Sequence, residues 1–155
     1  MEVKLRPLVE SDALVSYKWR NNPRVWEYTG SRPDKEITPE IETGWIKNIL
    51  LRSDERRYAI VVDGVYVGNV QLTGITARQA IFHIFIGDTN YWGRGIATQA
   101  LRHIIDIARD DLKLSNILLE VNKNNLAAIR VYKKCGFKET KDGFEANFLS
   151  MELAL

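Results

Sequence analysis

The chain has 155 residues, 45% hydrophobic and 27% charged, which suits one compact domain with an ordinary core and leaves no room for a second full one. Its 22 basic residues against 20 acidic ones give a net charge of +2, too little for a general pull toward nucleic acid or a membrane surface. Cys135 is the only cysteine and there are two histidines, so an intrachain disulfide is excluded and no metal site is expected.

In chain order, residues 3–5 read as a strand stopped by Pro7, and Glu10-Ser11-Asp12 offers polar starts for a helix to about Trp19. Asn21-Asn22-Pro23 breaks that helix, and residues 24–34 form a loop of aromatics with Gly30 and Pro33. Thr38-Pro39 is an N-cap followed by proline at the first helical position of a second helix ending near Leu51. Strands at 58–62 and 65–72 flank Asp63-Gly64, a tight hairpin turn, and a strand at 80–86 completes an antiparallel meander. In that last strand Ile81, His83 and Phe85 share one face, and Phe82, Ile84 and Ile86 the other. Ile96, Ala100, Leu101, Ile104, Ile105 and Ala108 recur at helical spacing to about Asp110, with Arg102, Asp106 and Arg109 on the solvated side. Residues 117–121 are a further strand, 125–135 a helix closed by Gly136, and 137–153 hold one or two final strands. The order predicts a mixed α/β (α+β) fold, a mostly antiparallel sheet flanked by helices.

Between the 80–86 strand and the following helix lies Asn90-Tyr91-Trp92-Gly93-Arg94-Gly95-Ile96-Ala97-Thr98. Glycines there let backbone N–H groups turn toward one point, and the helix N-terminus adds partial positive charge, so an anion should bind. The loop lacks the lysine of a Walker motif and is not GxGxxG, which lowers the nucleoside triphosphate and nicotinamide readings. A tight turn into a helix is the plainer alternative.

A second constellation is the NxxAxxxYxxxGF pattern of Asn125, Ala128, Tyr132, Gly136 and Phe137. Together with the loop Trp92-Gly93-Arg94-Gly95-Ile96-Ala97 and the early Trp19-Arg20-Asn21-Asn22-Pro23, it makes the chain resemble the GNAT N-acetyltransferase superfamily over nearly its whole length. The likeness is to the RimJ/RimL-like branch, which also contains spermidine N-acetyltransferases. It implies the GNAT fold over residues 1–155 and transfer of acetyl from acetyl-CoA, a co-substrate, to a primary amine by direct attack in a ternary complex. The family's pyrophosphate loop reads Q/R-x-x-G-x-G/A; Gly95 and Ala97 fit it, whereas Trp92 stands at the first position. Arg94 and the amides of Gly93, Gly95, Ile96, Ala97 and Thr98 are then left to hold the pyrophosphate.

By the same resemblance Tyr132 is the acid that protonates the departing thiolate, and Asn125, with Ala128 beside it, borders the pantetheine arm or acyl site. The bland roles are a packed core tyrosine and an N-cap. Phe85, Ile86 and Gly87 are expected to turn main-chain N–H groups toward the thioester oxygen where the fourth and fifth strands part. Many family members carry a carboxylate base on the fourth strand where this chain has Ile81; His83, Glu27 or water remain as candidates. Cys135 is not the expected nucleophile.

The resemblance puts the acceptor pocket near residues 24–41. Trp26, Tyr28, Arg24 and Arg32 suit an amino sugar on a nucleotide, and Glu27, Asp34, Glu36, Glu40 and Glu42 suit a polyamine. A peptide N-terminus, and hence an N-terminal acetyltransferase, stays open, as does a catalytically silent acyl-CoA-binding regulatory domain. Lys123, Arg130, Lys133, Lys134 and Lys138 could serve a nucleic-acid-binding domain, but the near-neutral balance favours a solvated helix face or contact with the CoA 3′-phosphate. The expected partner is a small-molecule amine, with no nucleic acid and no membrane; a homodimer is left open. The start MEVKLRPLVESD has no secretory apolar region and no apolar run is long enough for a bilayer, so a cytoplasmic location is the expectation.

Overall fold

The computed structural model describes residues 1–29, 32–140 and 145–155. Its strands are β1 (Val3–Pro7), β2 (Arg56–Val62), β3 (Val65–Thr73), β4 (Gln79–Ile86), β5 (Asn116–Asn122), β6 (Lys138–Glu139) and β7 (Phe148–Ala154). Its helices are α1 (Ala13–Arg20), α2 (Pro39–Leu50), α3 (Ile96–Asp106) and α4 (Leu126–Lys134). The strands form one sheet in the order β1-β2-β3-β4-β5-β7-β6, antiparallel throughout except where β4 meets β5. The mixed, mostly antiparallel architecture read from the pattern is therefore present. Gly30 of the expected loop, and residues 141–144 of the expected final strands, lie outside the described residues.

Local chemistry explains most boundaries. Thr38 Oγ1 accepts the Ile41 N–H at 3.2 Å, the cap that starts α2. Asp63 and Gly64, at φ 48° and 85°, make the paired left-handed turn that suits a two-residue hairpin. The expected helix from residue 10 begins instead as a 3-10 turn over Glu10–Asp12. There Asp12 is drawn down to Arg6, with two hydrogen bonds of 2.7 and 2.9 Å, and α1 starts after it. The expected loop after residue 23 opens with another 3-10 turn, Pro23–Trp26, because the Asn22 side chain caps it by accepting the Arg24 N–H at 3.1 Å.

The helices divide between the two faces of the sheet. On one face Ile96, Ala100, Leu101, Ile104 and Ala108 are buried against Ile60, Val70, Leu72, Phe82, Ile117 and Leu119, with Ile129 and Tyr132 of α4 in the same cluster. Each large aliphatic side chain so buried stabilises the fold by about 1.5–3 kcal/mol. On the other face α1 and α2 cover a smaller cluster of Leu8, Ala13, Ile46, Ile49 and Ala59. A bulge in β3 separates Ile60↔Gly68 from Val61↔Tyr66, leaving Val67 as the extra residue. Tyr66 thereby packs with the α1/α2 cluster while Val67 is buried in the other.

Candidate active site

The parallel junction is short. β4 and β5 pair only at Gln79↔Asn116, Ala80↔Ile117 and Ile81↔Leu118. Beyond that point β4 stays with β3 as far as Gly68↔Ile86, and β5 stays with β7 as far as Asn122↔Phe148. The sheet consequently splits along residues 82–86 and 119–122. Strand alternation fixes which amides face the split. Gly87 gives its N–H to the Val67 carbonyl at 2.9 Å, on the β3 side, so Ile84 and Ile86 direct theirs the other way. This corrects the expectation for Phe85, Ile86 and Gly87: the Gly87 amide is engaged by β3, the Phe85 amide, two residues away, points the same way, and Ile86 is the member that turns into the split.

The glycine loop stands at the end of that split. Gly93 and Gly95 have φ of 74° and 76°, values that favour glycine, and a Cβ on either would touch nothing within 4 Å. Gly95 is the N-cap of α3 and supplies no side-chain cap. The N–H groups of residues 93–98 donate to no described residue, so the first turn of α3 is left with unsatisfied donors facing open space. Such a cluster suits a phosphate. Trp92 does not leave a hole where the family motif has a polar residue. Its indole N–H donates to the Ile86 carbonyl at 2.8 Å, tying the loop to the end of β4, and the Arg24 guanidinium lies 5.0 Å above its ring. Arg94 stacks on Tyr91 at 5.2 Å.

On the α4 side of the split, the Tyr132 ring meets Phe82 edge-on at 6.0 Å and Phe137 at 5.9 Å. Phe82 is the residue just past the last pair with β5, which sets Tyr132 beside the opening. Its hydroxyl has no hydrogen-bond partner among the described residues, and no buried side-chain oxygen there lacks one, so this hydroxyl reaches the surface. Burial pushes its pKa up to about 12, and the group holds its proton at neutral pH. Asn125 Oδ1 accepts the Ala128 N–H at 3.3 Å: the capping role is real. Cys135 caps the other end of α4, half-buried.

The α1/α2 side is made of side chains. Arg57, Gln71 and His83 form one cross-strand row, with Ala59, Asn69 and Phe85 the next. His83 shares a 3.2 Å hydrogen bond with Thr73. Although the imidazole is accessible at its edge, partial desolvation and the nearby Arg57 lower its pKa, with Glu55 opposing. Trp19 packs on Phe85, 6.2 Å between centroids, and against Gly87, where a Cβ would come within 2.1 Å of the indole. Trp26 lies 6.3 Å from Phe85 on the same side. Glu27 is exposed just after the Pro23–Trp26 turn.

Glu42, counted with the acids that would suit a polyamine, is 1% exposed and holds Arg20 at 2.6 Å and Ser16 at 2.9 Å. It is therefore not free to meet an ammonium. Glu55 is held by Arg57 and Arg52, and Asp12 by Arg6. Tyr132 and His83, the two titratable candidates, sit on opposite faces of β4 and are not brought into contact; each borders the split from its own side. The sequence pattern marks Asn21 only as a helix break and a family motif residue, and it reveals neither the Asn21 tie to Ile37, nor Trp19 as a packing partner of the strand end, nor the Arg57–Gln71–His83 row. The Asn21 amide bonds the Ile37 backbone twice, at 2.8 Å each, and so fixes the segment before α2. The row exists only through the register of β2, β3 and β4, a long-range property.

Known proteins share this fold. A family model described as "Acetyltransferase (GNAT) domain" matches residues 2–138. The chain is 36% identical over 137 residues to a spermidine N(1)-acetyltransferase of Escherichia coli, covering 87% of this chain and 72% of that protein. It is 20% identical over 152 residues to an aminoglycoside N(6′)-acetyltransferase of Klebsiella pneumoniae, covering 88% and 74%. A spermidine N-acetyltransferase from Vibrio cholerae, solved with CoA and spermine, has the same fold, with a TM-score of 0.85, 23% identity and coverage of 98% and 95%. Matched by the family model along most of its length and by an enzyme at 36% identity, the chain belongs to the GNAT acetyltransferase family and is an acetyl-CoA-dependent N-acetyltransferase.

Proposed function

We propose that the protein acetylates a small-molecule primary amine, within the RimJ/RimL-like branch of the family, by direct attack in a ternary complex. The observation that carries this reading is the split beyond Ile81↔Leu118, with bare amides of residues 93–98 at one end and the free Tyr132 hydroxyl at one side. Acetyl-CoA supplies the thioester. The unsatisfied amides and Arg94 hold its pyrophosphate, and both glycines leave that approach open. The Ile84 and Ile86 N–H groups are the donors available to a carbonyl oxygen lodged in the split, where negative charge develops. The amine comes from the α1/α2 face. His83, kept neutral, accepts its proton directly or through water, with Glu27 as the rival, and Tyr132 gives its own to the departing sulfur. The likeness to spermidine and aminoglycoside acetyltransferases supports a small amine over a peptide N-terminus.

Acetyl transfer to spermidine, an amino sugar and a peptide N-terminus tests this, read as thiol release with mass detection of the product. Intersecting initial-velocity lines are expected, with a small amine as the best acceptor. Parallel lines would replace direct attack by an acyl-enzyme. Tight CoA binding without transfer to any amine would favour a silent CoA-binding domain.

A further inference from the structure

A cleft of about 150 Å³ opens between the C-terminal end of α1 and the segment before α2. Its lining includes Arg20, Arg32 and Lys35 around Trp26, and no carboxylate. The arginine at its inner end uses one nitrogen on Glu42, at 2.6 Å, and lies over Trp45 at 4.8 Å and Trp26 at 6.0 Å. Arg32 and Lys35 are exposed and make no ion pair among the described residues. Asp34 and Glu36, on the same segment, do not line the cleft. Asn21 holds the segment in place through its two bonds to Ile37. Trp26 itself donates to the Arg20 carbonyl at 2.8 Å and faces Phe85. The cleft and the split in the sheet thus share a wall.

We propose that this cleft binds an oxyanion carried by the acceptor, so that the substrate is an amine bearing a phosphate-type group rather than a simple polyamine. The inference rests on the acetyltransferase reading. Two cations unpaired among the described residues, Arg32 and Lys35, beside an Arg20 whose charge is shared with Glu42 and with no carboxylate in the lining, favour oxygen anions, and a guanidinium can grip two oxygens at once. Asp12, Glu42 and Glu55 are poor partners for a polycation, since each is already bound by arginine. With the anion on Arg32 and Lys35, Trp26 offers a flat surface over which the rest of the substrate reaches toward β4.

The test has two arms. Calorimetry on enzyme saturated with CoA, so that the donor site is filled, compares glucosamine 6-phosphate, glucosamine, spermidine and inorganic phosphate, in wild type and in the Arg32→Ala/Lys35→Ala double variant. Kinetics with acetyl-CoA then compares kcat/KM for the two sugars. The phosphorylated sugar should bind more tightly and exceed glucosamine in kcat/KM by about tenfold or more, chiefly through KM, as one or two charge-assisted hydrogen bonds predict. In the double variant that ratio should fall toward one. Binding of the phosphorylated sugar without its turnover, while other amines are acetylated, would overturn the assignment of the anion to the acceptor; no turnover of any amine would count against the proposed function instead. A ratio near one in wild type, a ratio unmoved by the double substitution, tighter binding of spermidine, or binding of inorganic phosphate with no advantage to the phosphorylated sugar would each overturn the proposal.

Discussion

On the glycine-loop side of the split, the polar groups on offer are backbone amides released by two left-handed glycines and a helix start. On the α1/α2 side they are side chains, many already paired: Glu42 with Arg20, Glu55 with Arg57, Asp12 with Arg6. Backbone donors present the same chemistry whatever residues surround them, so one loop can serve a donor common to many relatives. Side-chain walls differ with each exchange, and on the proposed function that is where acceptor choice would be set. Tyr132 belongs with the first group by position, on the α4 face, and His83 with the second.

The largest effect expected is on the α4 face. Tyr132→Phe removes one oxygen that has no partner among the described residues, so the fold loses no hydrogen bond there. If the hydroxyl protonates the leaving sulfur, kcat should drop by about a hundredfold or more. The acetyl-CoA dissociation constant, measured by calorimetry, should hardly move, because the proton passes only in the transition state. A normal rate would make Tyr132 a packing residue beside Phe82 and Phe137.

A smaller effect is expected at the loop. Because a Cβ at Gly95 would touch nothing, Gly95→Val acts through conformation alone. A left-handed L-residue costs about 1–2 kcal/mol, more when β-branched, which predicts roughly tenfold weaker CoA binding. Gly95→Asn, which tolerates that conformation, should fall between the two. Equal affinity in all three would mean that the loop does not cradle the pyrophosphate, and the contrast between backbone-built and side-chain-built sites would fail.

The two sides also differed in how far they could be read in advance. The loop and the Asn125 to Phe137 pattern were legible because glycine at a positive φ and an asparagine cap are local requirements, visible in a few consecutive residues. The hairpin at Asp63-Gly64 and the α3 stripe were legible for the same reason. The split was expected from resemblance, but which of residues 85–87 turns its amide inward depends on pairing with β3 and on the bulge at Val67, a long-range matter of register. Glu42 looked like a free acid because nothing in its own helix says that Arg20, a helix away, has claimed it. Asp12 likewise read as a helix start when its stronger tie was to Arg6. Acceptor-side charges cannot be counted until their partners are known.

The smallest expected effect, and the one that bears most directly on the acceptor side, is in the pH profile. An alkyl amine reacts as the neutral base, so kcat/KM should rise with pH at unit slope until the amine itself is deprotonated. A base on the enzyme that takes the further proton shed by the nitrogen as it is acylated adds a second unit of slope below its own pKa. His83 is shifted down from 6.5 by partial desolvation and by Arg57, so it stays a proton acceptor at neutral pH and the steeper limb should begin below 6.5. His83→Gln should abolish that added slope while lowering kcat/KM near pH 7 by less than the roughly hundredfold expected of a sole base, since Glu27 and water can also take the proton. If the steep limb survives in His83→Gln, the titrating group lies elsewhere, and Glu27→Gln becomes the variant to measure. If neither wild type nor variant shows it, no titrating group of the enzyme takes that further proton, and the α1/α2 wall acts on its acceptor by contact alone.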